Sequence, residues 1–464
     1  MTLSPRTAFR QLLPLALSGL FAAQGSAALA AQADASFDFG QSHPYLGFGA
    51  QVWLNDNKPE QSMQMLRDLH ARYVRVGLAP KILLNQLRPG MSVQDALKLI
   101  KANDSEQQRQ RLTRFGEQMK QLGIQIHLIF WRMPEPWARY DAQRKSGSKD
   151  RSTFADPARV ADYANLVTAQ MVYLRGLGIT ADAVELTNEP HGAWSTLYTR
   201  EDYARLVQAA RAAMQQNGLG EVKIAGPGVN LKQFDHYIGA LQQAKATDDL
   251  GYISAHVYEN PELLSDPRQP GMASFLGRGH FGPIVITEFG AQDGKAKVGA
   301  RSFAVTEPAY GLSAIAQAGL LLNNGASALI YWQLKDFNWG TQGHGMLSED
   351  GQRRPVAQAL QTIVAPLPPG AKIAAVQGRL PAGLVATAFQ TPQNSYLMIS
   401  NSSDESHQLS ARLQGGSGHC GKIAQTQVWR TSGEGGGAVK APEVSDCTVK
   451  AGIGPGSAVL MVLQ

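Results

Sequence analysis

Cysteine is almost absent from this chain of 464 residues, which carries only Cys420 and Cys447. Neither Cys-x-x-Cys nor His-x-x-x-His spacing occurs, so no metal site is expected. The G-x-S-x-G turn of serine hydrolases is missing, as is a phosphate loop ending in Gly-Lys-Ser/Thr. Gly47-Phe48-Gly49 starts like a dinucleotide fingerprint, but Val52 stands where its third glycine belongs. That pair of glycines reads instead as close backbone packing at the mouth of a barrel. Runs of like charge are lacking too. Lys and Arg are scattered, the stretch 144–151 looks like a solvated loop, and a net charge of +6 is modest, so neither nucleic acid nor a membrane is indicated as a partner.

Long hydrophobic runs are missing as well. The main apolar stretch, 12–23, is shorter than the 18 or more residues expected of a spanning helix. Arg6 and Arg10 precede it and Ala28-Leu29-Ala30 follows, the layout of a secretory signal peptide over 1–30, cut near Ala30; a membrane anchor is the alternative. Cleavage removes two positive charges and directs the chain to the periplasm or the medium. In that compartment the two cysteines are most simply one disulfide, stabilising by roughly 3 kcal/mol, with two buried thiols as the bland alternative.

What is present is globular. Hydrophobic residues make up 44% and charged residues 17%, enough apolar surface for a large core. From about 45 to 366, short β-branched runs alternate with helical patterns, which predicts repeated βα units around a parallel sheet. Eight strands are expected, at 45–52, 73–78, 124–130, 183–187, 222–225, 252–258, 283–288 and 326–332. Asp156-Pro157 and Pro355 supply helix starts. Eight units in one series imply an α/β fold of the (β/α)8 TIM-barrel type over 31–366. A doubly wound sheet is the alternative, without its fingerprint. After the proline-rich linker ending at Gly370, alternating runs such as 384–389 and 395–400 predict a C-terminal antiparallel β-sandwich over 370–464, with 433–437 as a hairpin loop.

Two predicted strand ends carry the chemistry. The fourth strand runs into Asn188-Glu189-Pro190 and the seventh into Glu288-Phe289-Gly290. Catalytic groups of a TIM barrel stand at the C-terminal ends of its strands, so these glutamates face each other across a cleft. Glycosidic bond cleavage needs such a pair, one protonated and one ionised. A glutamate at a strand end is, taken singly, as readily a helix cap or an ion-pair partner.

These residues resemble the two signatures of the clan A glycoside hydrolases. The resemblance covers most of 45–366 and implies that Glu189 is the acid/base and Glu288 the nucleophile of a retaining enzyme. It also implies roles for Arg75 beside the nucleophile, for His256 and Tyr258 in an H-x-Y segment on strand six, and for Trp332 as the sugar floor. Gly47 to Ala50 and the C-terminal β-domain look most like the glucosylceramidase and glucuronoxylanase branch, although Thr187 stands where a tryptophan is common. Bland readings remain beside these: an Arg75 to Glu185 salt bridge, a core tyrosine at 258, a structural histidine at 256.

Asn188 suits a hydrogen bond to the sugar 2-hydroxyl. Trp53, Trp131, Trp137, Trp194, Trp332 and Trp339 all fall at or just after predicted strand ends, more indoles than a core needs there. Of these, Trp53, Trp131, Trp194 and Trp332 are the sugar-platform candidates. The expectation is a cofactor-independent hydrolase of a β-linked oligo- or polysaccharide, with Glu189 held protonated by burial and by Glu288, and Glu288 held ionised by Arg75 and Tyr258. A transglycosylase with the same residues and a non-catalytic sugar-binding barrel are the rivals. Oligomeric state is not legible.

Overall fold

The computed structural model describes residues 31–80, 82–140, 153–266, 275, 281–298, 300–337, 343–416, 420–431 and 440–464. The expected signal segment, the basic loop 144–151, Trp339 and the glycine-rich stretch 433–437 lie outside the described residues.

Eight parallel strands close into a barrel. In chain order they are Gly47–Val52, Tyr73–Leu78, Gln125–Phe130, Ala183–Glu185, Lys223–Asn230, Leu250–Val257, Ile284–Phe289 and Ala326–Tyr331. The eighth pairs back onto the first, Ala328 beside Gly47 and Tyr331 beside Ala50. Every residue of the seventh and eighth strands is buried, as a sheet covered on both faces requires.

The expected helix starts are used. Asp156 accepts from the Ala158 N–H at 3.0 Å and leads through a short turn into Val160–Gly176, and Pro355 occupies the first turn of Pro355–Ile363. Ser105, Thr199 and Asn230 likewise cap the helices that follow them, each side-chain oxygen accepting a backbone N–H three residues on. The first-strand glycines do serve packing, but at the N-terminal half of the strand and not at the mouth. A Cβ on Gly49 would lie 2.3 Å from the Tyr73 carbonyl oxygen.

The second unit is one nine-stranded sheet rolled around its own core of Phe37, Phe39, Leu397, Ile399, Val459 and neighbours. One feature corrects the expected boundary: residues 31–44, assigned with the barrel on sequence, form a strand in the middle of this sheet. Ala31–Pro44 pairs antiparallel with Lys372–Gln377 and parallel with His407–Gln414, so the sheet is not antiparallel throughout. The cause is its alternation: Ala33, Ala35, Phe37 and Phe39 are buried while the residues between them are not. Cys420 and Cys447 are disulfide-bonded in this unit, their Cα atoms 5.1 Å apart.

The two units pack together along helix Pro308–Asn323, buried without a break from Ala309 to Gly319 because it faces the barrel on one side and the second sheet on the other. Asn323 donates to the Ala386 carbonyl at 2.9 Å, Thr387 to that of Gly319 at 3.2 Å, and Tyr45 meets Phe389 edge to face. These contacts leave the C-terminal ends of the barrel strands free. No helix among the described residues is long and apolar enough to cross a membrane.

Candidate active site

Strand alternation places Glu185 inside the barrel, and the chain beyond it carries Asn188 and Glu189 over the rim. Glu288 is the penultimate residue of the seventh strand and His256 that of the sixth. All five side chains are buried. One oxygen of Glu189 and one of Glu288 lie within 4.8 Å of each other and of a His256 ring nitrogen.

Arg75, on the second strand and fully buried, organises the group. Its Nε donates to Glu185 at 2.6 Å, Nη1 to Glu288 at 2.6 Å and to Gln51 at 3.0 Å, and Nη2 to the Asn188 side-chain oxygen at 2.9 Å. The two readings of Arg75 are therefore both realised: it is the Glu185 ion pair and the Glu288 partner at once. With its oxygen engaged, the Asn188 amide turns its N–H groups to the cleft. Tyr258 donates to the second Glu288 oxygen at 2.5 Å, so it is no mere core tyrosine. Ser254 and Thr287 donate to Glu185 at 3.1 and 2.6 Å, completing the anchor beneath Arg75.

His256 Nδ1 stands 2.9 Å from Glu189 and 3.4 Å from Glu288, with Nε2 3.8 Å from Glu185. Burial alone would depress the imidazole, but Glu288, Glu185 and Glu189 outweigh it and push it up to about 10. It is therefore a cation at neutral pH. Burial would likewise raise Glu185, yet Arg75 and His256 hold it well below the usual carboxylate range.

The resting site reverses the expected order of the two carboxyls. Burial pushes Glu189 up, but the hydrogen bond and charge of His256, the nearby His191 and the Trp194 indole N–H carry it below the ordinary value. Glu288 is raised, first by burial and further by Glu189, against the pull of His256 and Arg75. His256 thus presents one protonated ring nitrogen to both carboxylates. Glu189, His256 and Glu288 are close enough to surround a cation, but the Arg75 guanidinium already lies against Glu288, so a divalent ion would sit beside a fixed positive charge.

The cleft over this group is about 1000 Å³. Trp53, Trp131 and Trp332 gather on one wall with ring centroids 5.8 to 6.0 Å apart, and Trp53 Nε1 donates to Gln333. Trp194 also lines the cleft and is 54% exposed. Trp137 is buried and packs in the barrel core, so it is no platform. Missed in the sequence were Gln51, which steadies Arg75, and Arg132, Lys232 and Lys295, which line the cleft. Arg132, Lys232 and Lys295 had as their only signal a position beyond a strand end, and Gln51, inside the first strand, had none.

No family model and no curated relative matches this sequence. Solved structures do. A GH30 endoxylanase from Clostridium papyrosolvens C71 superposes with a TM-score of 0.67 over 93% of this chain and 100% of that one, at 16% identity. The fold is that of the family 30 glycoside hydrolases. The family 30 subfamily 8 xylanase of Clostridium acetobutylicum gives the same TM-score of 0.67 at 14% identity, covering 93% and 99% of the two chains. An endo-β1,6-glucanase gives 0.63 at 14% identity, covering 92% and 94%. In this family 30 fold the two glutamates stand at the ends of barrel strands four and seven, and the barrel carries its second β-unit as the sequence resemblance implied.

Proposed function

We propose that this protein is a retaining β-glycoside hydrolase that cuts a β-linked oligo- or polysaccharide at internal positions. The observation that carries the reading is the carboxylate pair, with oxygens within 4.8 Å and one member held by Arg75 and Tyr258. Retaining enzymes separate their carboxyls by about 5 to 5.5 Å, whereas inverting ones leave room for a water at roughly 6.5 to 9.5 Å.

In this reading Glu288 attacks the anomeric carbon while Glu189 gives its proton to the departing glycosidic oxygen. A glycosyl ester on Glu288 results. Glu189, now a carboxylate, takes a proton from water, which attacks the same carbon and restores Glu288. The Asn188 amide contributes a donor to the sugar 2-hydroxyl, a contact that strengthens as positive charge develops on the ring. Trp332, with Trp53 and Trp131, offers stacking faces for the sugar chain. Internal cleavage is favoured by the endo-acting enzymes among the structural neighbours and by the open cleft of about 1000 Å³ lined with several indoles. Export is part of the proposal, since a cut after Ala30 would leave the chain beginning at the first residue of a sheet strand.

The test is to screen β-linked polysaccharides for new reducing ends and to follow the anomer formed first by NMR. Retained configuration is expected; an inverted first product would remove Glu288 as nucleophile. Glu288→Ala is expected to be inactive and rescued by azide as the inverted glycosyl azide. Glu189→Ala is expected to spare activated aryl glycosides. Products elongated in the presence of an acceptor sugar would make transfer the main reaction.

A further inference from the structure

Glu189 is held in an unusual way for a residue that must release a proton. Its backbone lies in the left-handed region, φ +38°, where side chains other than glycine are rare. The chain then reverses: Gly192 N–H donates to the Glu189 carbonyl at 2.7 Å and Ser195 N–H to that of Gly192 at 3.0 Å. This turn folds Trp194 back over Gly192. A Cβ there would lie 2.6 Å from the indole ring, so only glycine leaves room for it.

The backbone of the turn is clamped. Arg132 Nε donates to the Trp194 carbonyl at 3.0 Å, Ser195 Oγ to that of Trp131 at 2.8 Å, and Met133 N–H to Thr196 at 3.1 Å. The indole, by contrast, is 54% exposed at the edge of the cleft. Its N–H donates to Glu189 Oε2, while the other oxygen, Oε1, is held by the buried His256. Of the two oxygens, Oε2 alone faces a side chain that can move away.

We infer that Trp194 is a positioning residue for the acid/base: its indole N–H covers the proton-delivering oxygen of Glu189 and yields that place to the glycosidic oxygen when a leaving-group sugar enters. The inference rests on the reading of Glu189 as the acid/base. As the indole leaves, Glu189 loses a hydrogen bond that favours its ionised form and takes one proton from solvent; the indole keeps its own. The acid is thus armed by the substrate. The remaining charged and titratable neighbours stay in place on that step: His256 and Tyr258 from the sixth strand, Glu288 from the seventh, Glu185 from the fourth, Arg75 from the second, and His191 on the same turn.

Trp194→Phe keeps a ring and deletes the N–H. In the free enzyme the Glu189 carboxylate is then less favoured, so the basic limb of kcat/KM on an oligosaccharide is expected to move to higher pH, by up to about one unit. The basic limb of kcat, which reports the loaded enzyme, is expected to stay. Trp194→Ala is expected to show the same pH shift with a raised KM. A readout independent of activity is the Trp194 indole N–H resonance, which is expected to titrate in wild type and not in Glu189→Gln. An unchanged kcat/KM profile in Trp194→Phe, or equal shifts in both limbs, overturns the role in an enzyme that Glu288→Ala silences. If Glu288→Ala retains activity, the glycosidase reading itself fails and the role goes with it.

Discussion

Arg75 shows how one side chain can be structural and functional at once. Four of its hydrogen bonds run to four residues from three other strands or strand ends, so the guanidinium fork, not charge alone, sets the spacing of Glu185, Asn188 and Glu288. Arg75→Lys keeps the charge and loses the fork. We expect destabilisation of about 3 kcal/mol by denaturant melts, since buried acceptors lose their donors, and a kcat lower by about 100-fold from misplacement of Glu288. His256 carries a second consequence. Its imidazole is pushed up to about 10 against an ordinary value of 6.5, so the stability it contributes is complete below about 6.5 and lost as pH rises toward 10. Wild-type Tm should therefore fall between pH 7 and 10, and the fall should be shallower in His256→Gln. A parallel decline in both proteins would show that other groups govern the alkaline limb.

At the scale of elements, the short fourth strand is what brings Glu189 into play. Ala183–Glu185 ends early, so Asn188 and Glu189 lie on the turn beyond it, where φ can leave the β region. Helix Pro308–Asn323 has the opposite task, carrying one unit against the other. Gly319 lets it approach the second sheet, for a Cβ there would be 3.0 Å from Val385 and 3.2 Å from Met398. Gly319→Leu should overpack that seam and cost about 1 to 3 kcal/mol in thermal or denaturant melts. Activity at low temperature should survive, because the seam lies away from the cleft; a loss of kcat matching the loss of stability would contradict that separation.

At the scale of the molecule, the N-terminal strand ties the chain's beginning to its end. Ala31–Pro44 sits between Lys372–Gln377 and His407–Gln414, and His43 reaches the Ala326 carbonyl of the barrel at 3.1 Å. A chain starting at Tyr45 should lose an interior strand of the nine, expose Ala374, Leu409 and their neighbours in that sheet's core, and melt far below a chain that keeps residues 31–44. The disulfide is a lesser brace. Replacing Cys420 and Cys447 by serine should cost about 3 kcal/mol on the chain-entropy account, with kcat unchanged in steady-state assays.

Periodicity was enough, from sequence, to locate eight barrel strands and two helix starts, and strand-end position to single out Glu189 and Glu288; Arg75, His256 and Tyr258 were pointed to only by the family resemblance. Strand ends are local signals: a β run ends and a polar residue follows. The N-terminal strand was not read from the sequence, although Ala33, Ala35, Phe37 and Phe39 alternate, and its sheet could not be, because pairing partners more than 300 residues away leave no local mark. Gln51 beneath Arg75, the Arg132 clamp, the return of Trp194 onto Glu189 and the reversed order of the two carboxyls were decided only by the tertiary structure. Each depends on closure of the barrel and on one left-handed residue, which bring together groups from different strands at hydrogen-bond distance, and it is that distance, not residue type, that sets where the protons lie.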